Sequence, residues 1–307
     1  MRPYGKAAIA EAARLVGQGQ PVVVPTETVY GLAADATSEE AVARIYQAKG
    51  RPAFNPLIVH VRDLAQAEQL GDFSVAARAA ASLYWPGALT IVVPRRQDSG
   101  VADLATAGLA TIALRCPVHP AMQDLLKACG KPLAAPSANI SGAISPTSVD
   151  HVLKTLEGRV PLVLDAGRTS HGIESTIVSF IGDKVTLLRP GPIDFDEIAL
   201  FSRLSPGTSS GRIEAPGQLQ SHYAPSKPLR LDVQSAEPDE WMIGFGKLNG
   251  DDTLSASGDL CEAAARLFHA LHRAEGSRKR AIAVAPIPET GVGVAINDRL
   301  RRAAAPL

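Results

Sequence analysis

Apolar positions along the chain follow two alternating rhythms. Spacings of three and four put Ala8, Ala12, Leu15 and Val16 on one face of a helix predicted over Ala7 to Val16, closed by Gly17 and Gly19. A β-branched run, Val22 to Val24, predicts a buried strand. A second helix is expected from Thr37, where Thr37 and Glu40 fit a capping box and Val42, Ile45 and Tyr46 form the apolar stripe. Helices are also predicted over Ala76 to Leu83, Ala121 to Cys129 and Val149 to Leu156. Strands are predicted over Leu57 to Val61, Leu89 to Val93, Thr111 to Leu114, Leu162 to Leu164, Ile177 to Phe180 and Val185 to Leu188. This alternation argues an α/β domain with a mixed twisted sheet.

The pattern breaks after Phe201. Residues 205–217 are rich in Ser, Gly and Pro and nearly free of apolar side chains, which reads as a linker. Ser221-His222-Tyr223-Ala224-Pro225 then places an imidazole and an aromatic ring in a Pro-bounded stretch, unusual for a solvated tether. A smaller α/β unit follows. Its expected strands are Leu229 to Val233, Trp241 to Phe245 and Ala281 to Ala285, with helices over Asp259 to Glu275 and Asp298 to Ala304.

Composition narrows the function classes. The 307 residues suit two domains, and 46% apolar with 20% charged residues suits a globular protein with a sizeable core. Thirty-one basic and 31 acidic side chains cancel, so no bulk positive field draws the chain to nucleic acid, and a phosphate site must be local. Three distant cysteines, Cys116, Cys129 and Cys261, show no Cys-x-x-Cys spacing for zinc or redox work. Met1 to Gly5 lacks the apolar core of a signal peptide, and no apolar run nears the roughly 20 residues of a membrane span, so a cytoplasmic location without membrane contact is expected. No Walker A sequence is present, and Gly244-Phe245-Gly246 is a turn rather than a dinucleotide loop.

Three motifs stand in order. Pro25-Thr26-Glu27-Thr28-Val29-Tyr30-Gly31-Leu32 follows the first strand, and ligand sites gather at strand ends in α/β sheets. Lys49-Gly50-Arg51-Pro52, with Asn55-Pro56-Leu57, reads either as helix punctuation or as a phosphate clamp built from a point charge and a planar donor fork. Ser137-Ala138-Asn139-Ile140-Ser141-Gly142 reads either as a capped turn or as a loop that wraps an anion without bringing charge. Thr111 and Arg115 share one face of a strand, where Arg115 needs an anionic partner, an internal carboxylate or a substrate's. His60 lies on a strand, where a satisfied core histidine is the commoner case. Arg189 precedes a Pro-Gly turn.

This ordered set resembles the threonylcarbamoyl-AMP synthase family, the YrdC-like enzymes of tRNA modification. The resemblance spans nearly the whole chain, in the longer two-domain form. It implies a YrdC-like catalytic domain over residues 1–204, a linker or lid over 205–227 carrying His222 and Tyr223, and a Rossmann-like domain over 228–307. Lys49 and Arg51 would be the catalytic cations. ATP would meet Lys49, Arg51, Asn55, Thr111, Ser137, Asn139, Ser145, Arg189 and Tyr223, and L-threonine would meet Thr28, His60, Arg115 and Ser175. Two departures stand out: Phe54 where the family often has an acidic or small polar residue, and Ala135 where many members carry Thr.

The implied reaction joins L-threonine, bicarbonate and ATP into L-threonylcarbamoyladenylate and pyrophosphate, for modification of the adenosine next to the tRNA anticodon. Mg2+ would ride with ATP rather than in a protein cage, with no metal ligands of the protein's own. Downstream partners would be the proteins that transfer the threonylcarbamoyl group to tRNA, with weak or no direct RNA binding. Competing readings are a nucleotide- or RNA-binding YrdC-like module without synthase activity, and a carbamoyl-transfer domain of larger hydrogenase-maturation proteins, whose zinc-finger-like Cys pairs this chain lacks.

Overall fold

The computed structural model describes residues 1–208, 214–218 and 222–305; residues 209–213 and 219–221 of the expected linker, Ser221 included, lie outside the described residues. The larger domain is built on a nine-stranded mixed sheet. Its strands run in the order Ser205–Gly207, Lys184–Arg189, Thr176–Ile181, Leu89–Pro94, Thr111–Arg115, Ile58–His60, Leu133–Ala134, Tyr30–Asp35 and Val22–Pro25. Most expected strands appear within a residue or two of their limits. Ser205–Gly207, read as the start of the linker, pairs in parallel with Lys184–Thr186 at the sheet edge.

Of the strands absent from the sequence reading, Tyr30–Asp35 bears most on the site. Tyr30–Asp35 is buried along its whole length, yet its Gly31, Ala33 and Ala34 carry little strand propensity. It pairs antiparallel with Val22–Pro25, Pro25 facing Tyr30, so Thr26 to Val29 becomes the loop of a hairpin. Thr26 locks that loop: its Oγ1 donates to the Val29 carbonyl at 2.7 Å and accepts from the Thr28 N–H at 3.2 Å. The following helix, Glu39–Lys49, corrects the expected Thr37–Glu40 box. Asp35 takes the Thr37 hydroxyl at 2.6 Å, so Ser38 caps the helix through the Ala41 N–H, and Glu40 pairs with Arg44 instead.

The smaller domain is a four-stranded parallel sheet ordered Leu229–Arg230, Ala281–Val284, Glu240–Gly244 and Asp252–Thr253, flanked by helices Leu260–Glu275 and Val292–Ala304. The last helix starts six residues before the expected Asp298. Gly291 and Gly293 disguise its first turn, and a Cβ on Gly293 would stand 2.0 Å from the Pro288 carbonyl. Phe245 bridges Leu248, so Gly244-Phe245-Gly246 forms a turn.

The two domains share apolar core. Leu267, Phe268 and Leu271 pack in one cluster with Val29, Ile144, Ile173 and Tyr223. At the contact Gly172 has φ +69°, and a Cβ there would meet the Ala265 backbone at 2.5 Å, so glycine is required. Beside it three imidazoles meet. His151 stacks on His272 with ring centroids 3.8 Å apart and lies 5.5 Å from His269. Lys154 donates to the His272 carbonyl, and Arg168 lies 2.9 Å from His269 Nε2.

Burial comes first for both; His272 and His269 come next for His151 and Lys154 for His272, pushing His272 down to about 4 and His151 to about 2. Both folded values lie below the ordinary 6.5, so the unfolded chain takes up protons first. Stability from this cluster is complete above pH 6.5; the part from His272 is lost as pH falls toward 4 and the part from His151 as it falls toward 2. The unfolding free energy in urea should therefore decline from pH 7 to pH 5. A His272→Gln variant should flatten that decline by up to about 1.4 kcal/mol per pH unit; an unchanged slope would rule out the stack as its source.

Candidate active site

One cleft gathers much of the chemistry. It is lined by the Thr26–Val29 hairpin loop, the ends of the Ile58–His60 and Thr111–Arg115 strands, Ala135 to Ser137, and Glu174, Arg51 and Arg189. Pro216, Gly217, His222 and Tyr223 of the linker close it. Of the residues singled out in the sequence, Thr28, Arg51, His60, Arg115, Ser137, Arg189, His222 and Tyr223 line this space.

The cations are arranged in two ways. Arg115 is 3% exposed and ion-paired with Glu27 at 2.5 Å; it also donates to Thr28 Oγ1 at 2.9 Å and to the Gly87 carbonyl. Burial opposes charge on Glu27, but the Arg115 guanidinium outweighs it and holds the carboxyl below its usual range. The internal partner foreseen for Arg115 is thus present. A guanidinium has five N–H donors and three are used here, which leaves two for a ligand.

Lys49, Arg51 and Arg189 differ. Each is buried, and among the described residues each has only neutral partners. Lys49 donates to the carbonyls of Ser137 and Asn139. Arg51 donates to the Asn55 carbonyl, to Asn55 Oδ1 at 2.6 Å and to the Pro56 carbonyl. Arg189 donates to Ser175 O and Oγ and to the Pro216 carbonyl. Burial pushes all three down, Arg51 to about 10 and Lys49 well below its ordinary value, with Arg51 adding to the shift at Lys49.

Lys49 and Asn139 stand behind the cleft wall rather than on it. The Lys49 ammonium grips the 137–139 loop, and Asn139 Nδ2 holds the Ala143 carbonyl at 2.7 Å. Asn55 lies behind Arg51, accepting from it through Oδ1, and its Nδ2 is buried without a partner. Ser145 donates to Glu174, and Ser175 Oγ lies 2.7 Å from Thr90 Oγ1; both sit one layer behind the cleft. Thr111 is four residues up the strand from Arg115, about 13 Å at 3.3 Å per residue. Ala113, between them on the same face, belongs to an apolar floor with Ile58, Val92, Ile177 and Leu188, which Ala215 of the linker covers. Phe54 points outward, 59% exposed, whereas Ala135 lines the cleft.

Two histidines are neutral. Burial first, then Arg115, pushes His60 down to about 3, and its Nδ1 has no partner. His222 is likewise depressed by burial and by Arg51 and Lys49, and its Nδ1 is also unpartnered. Its ring meets Tyr223 edge-on at 4.1 Å. The Tyr223 hydroxyl is buried without a partner beneath Gly217, where a Cβ would approach it to 2.9 Å. Gly217 has φ +85°, so both conformation and space exclude a side chain there.

Three acidic or basic groups of the site were not singled out in the sequence. Glu27 sits inside the first motif, and Glu174 sits next to Ser175. Arg299 comes from the last helix, is fully buried, and reaches Glu174 Oε2 at 2.9 Å.

A family model described as "Telomere recombination", covering Sua5, YciO and YrdC proteins, matches residues 14–191. A second, "Threonylcarbamoyl-AMP synthase, C-terminal domain", matches residues 193–305. The chain is 39% identical to a Bacillus subtilis threonylcarbamoyl-AMP synthase, over 96% of this chain and 92% of that one. It is 37% identical to the Pyrococcus abyssi enzyme of that name, over 95% and 92%. The crystal structure of P. abyssi Sua5 complexed with L-threonine superposes with a TM-score of 0.89 at 34% identity, covering 99% of this chain and 96% of that one. Both domains thus have counterparts in one group of enzymes, and the chain belongs to the threonylcarbamoyl-AMP synthase family of nucleotidyltransferases.

Proposed function

We propose that this chain condenses L-threonine, bicarbonate and ATP into L-threonylcarbamoyladenylate and pyrophosphate, for hand-over to the proteins that place the threonylcarbamoyl group on tRNA. The observation that carries the reading is the trio Lys49, Arg51 and Arg189. Buried cations without carboxylate partners are costly unless an anion joins them. A polyphosphate is the anion that suits two guanidinium forks meeting at one cleft, Arg51 from just past the end of helix Glu39–Lys49 and Arg189 from the end of strand Lys184–Arg189. The P. abyssi protein that superposes on the chain was crystallised with L-threonine, which supports the amino acid as the second substrate.

Roles follow from position. Arg51 and Arg189 face the cleft and would spread charge over the triphosphate, with Lys49 fixing the Ser137–Asn139 loop whose backbone lines it. The free donor of Asn55 and the Ser137 hydroxyl would add neutral contacts. The two unused donors of Arg115 would take the threonine carboxylate, with Thr28 and the neutral His60 beside it. The threonine amine adds to bicarbonate with loss of water, giving a carbamate. A carbamate oxygen then attacks the α-phosphorus, and the P–O bond to pyrophosphate breaks. No enzyme nucleophile is required, so catalysis is positioning and charge stabilisation. Mg2+ would enter on ATP.

The linker supports a lid. The cleft retains a cavity of only about 50 Å³, room for a few water molecules rather than a nucleotide. Ala215 also covers the apolar floor, which would suit a planar base running toward Thr111. Substrates would therefore enter when Pro216, Gly217, His222 and Tyr223 move off the cleft, and their return would shield the mixed anhydride from water.

The direct test is pyrophosphate release by purified protein. Release should require both L-threonine and bicarbonate and yield a threonylcarbamoyl-AMP mass; ATP binding without release would favour a nucleotide-binding module. Arg51→Met separates binding from folding. Removing a buried, uncompensated charge should leave ligand-free stability unchanged or higher while weakening ATP binding by about 10- to 100-fold, the worth of a charged hydrogen bond. A variant that is destabilised yet binds ATP normally would show that Arg51 serves the fold alone.

A further inference from the structure

The C-terminal domain sends one side chain to the rear of the cleft. Arg299, on helix Val292–Ala304, is fully buried and contacts three separate parts of the protein. Its Nε donates to Glu174 Oε2 at 2.9 Å, its Nη1 donates to the Pro190 carbonyl at 2.9 Å and to Asp298 Oδ2 at 2.8 Å, and its Nη2 reaches the Glu174 carbonyl at 3.4 Å. The guanidinium also lies 5.3 Å from the centre of the Tyr223 ring. Catalytic domain, linker and C-terminal domain therefore meet at one charge.

Glu174 is the reason this matters. It lines the cleft as a carboxylate among cations meant for an anion. Ser145 satisfies Oε1 and Arg299 satisfies Oε2. Arg189, the residue before Pro190, is close enough to sense Glu174 and the Tyr223 hydroxyl electrostatically, yet its hydrogen bonds among the described residues go to Ser175 and Pro216 and none to Glu174. Without a cation on its far side, Glu174 would be the nearest counter-charge for Arg189. A carboxylate paired with Arg189 would compete with phosphate for the same donors.

We propose that Arg299 is a positioning residue for the nucleotide site: by engaging Glu174 from the C-terminal domain, it keeps Arg189 free for the triphosphate and supports Tyr223 in the closed linker. This rests on reading the cleft as an ATP site. It gives the C-terminal domain a stated task, because the site is electrostatically complete only when that domain is docked.

The test uses the full chain and measures ATP and L-threonine binding separately by calorimetry, alongside near-ultraviolet circular dichroism. Arg299→Met should weaken ATP binding about tenfold or more, the scale of one charged hydrogen bond, with threonine affinity changed less than about threefold. Adding Glu174→Gln to Arg299→Met should recover most of that loss, because the competing carboxylate is gone. Plain structural damage would not be repaired by a second buried substitution. Equal weakening of both ligands, or a loss that Glu174→Gln leaves in place, overturns the proposal. Should Arg299→Met lose its native dichroism, Arg299→Lys decides. A folded lysine variant within about threefold of the parent ATP affinity supports the role, since a cation still faces Glu174; a tenfold loss refutes it. Absence of ATP binding to the unaltered protein would instead overturn the reading of the cleft, and this role with it.

Discussion

Charge kept out of water governs this structure. Lys49, Arg51, Arg115, Arg189 and Arg299 are each no more than 8% exposed, and all are grouped around one cleft. Moving such ions from water costs several kcal/mol each even after relaxation. Two of the five are compensated by carboxylates, Arg115 by Glu27 and Arg299 by Glu174. The other three are held by carbonyl oxygens, which orient a cation without neutralising it. The ligand-free protein thus stores an unfavourable field that a bound anion would relieve. Stability is given up so that affinity is concentrated where the phosphates would lie.

Such a field needs a rigid frame, and the sheet provides it. The Thr111–Arg115 and Ile58–His60 strands run in parallel, placing Arg115 opposite His60, and both side chains emerge beside the Thr26–Val29 hairpin. Threonine side chains in that hairpin bind their own loop, so its shape does not depend on a ligand. The wall opposite is fixed by Lys49, whose ammonium ties the end of one helix to the Ser137–Asn139 loop. The linker contacts the cleft through Pro216, Gly217, His222 and Tyr223, and its backbone is anchored where His222 donates to the Arg302 carbonyl and Ala224 to that of Gly142. The linker is thus tied to the catalytic domain at Gly142 as well as to the C-terminal domain at Arg302, so a lid movement of the kind proposed would have to break the Ala224–Gly142 bond.

How much of this could be read from the chain depends on what each feature needs. Val22 to Val24 and Leu89 to Val93 announced their strands because β-branched runs have few other uses. Tyr30–Asp35 did not, because tight packing there favours glycine and alanine, whose strand signal is weak. The motif residues that touch the cleft were visible through their order along the chain. Their division of labour was not, since which cations carry carboxylates depends on contacts as distant in sequence as Glu27 and Arg115. Arg299 was the hardest to find. It stands beside Arg301 and Arg302 on an amphipathic helix, where a run of arginines usually faces solvent, and only the packing of Tyr223 and Glu174 around it shows that the first of the three is buried.

The closed cleft and the unpaired cations then explain one another. With the linker down, little water reaches Arg51 and Arg189, so their electrostatic pull is screened weakly and acts strongly on whatever enters. If the linker lay open at rest, solvent would spread that field and weaken the grip on phosphate. If the cleft were neutral, closing it would trap nothing in particular. A lid that excludes water over a cationic floor suits a reaction whose reactant carries several negative charges and whose product is destroyed by water. In the proposed reaction the same lid would separate the carbamate from bulk solvent during its attack on phosphorus. By this argument the C-terminal domain, through Arg299 beneath Tyr223, belongs to the chemistry of the site although it contributes no group to the reacting atoms.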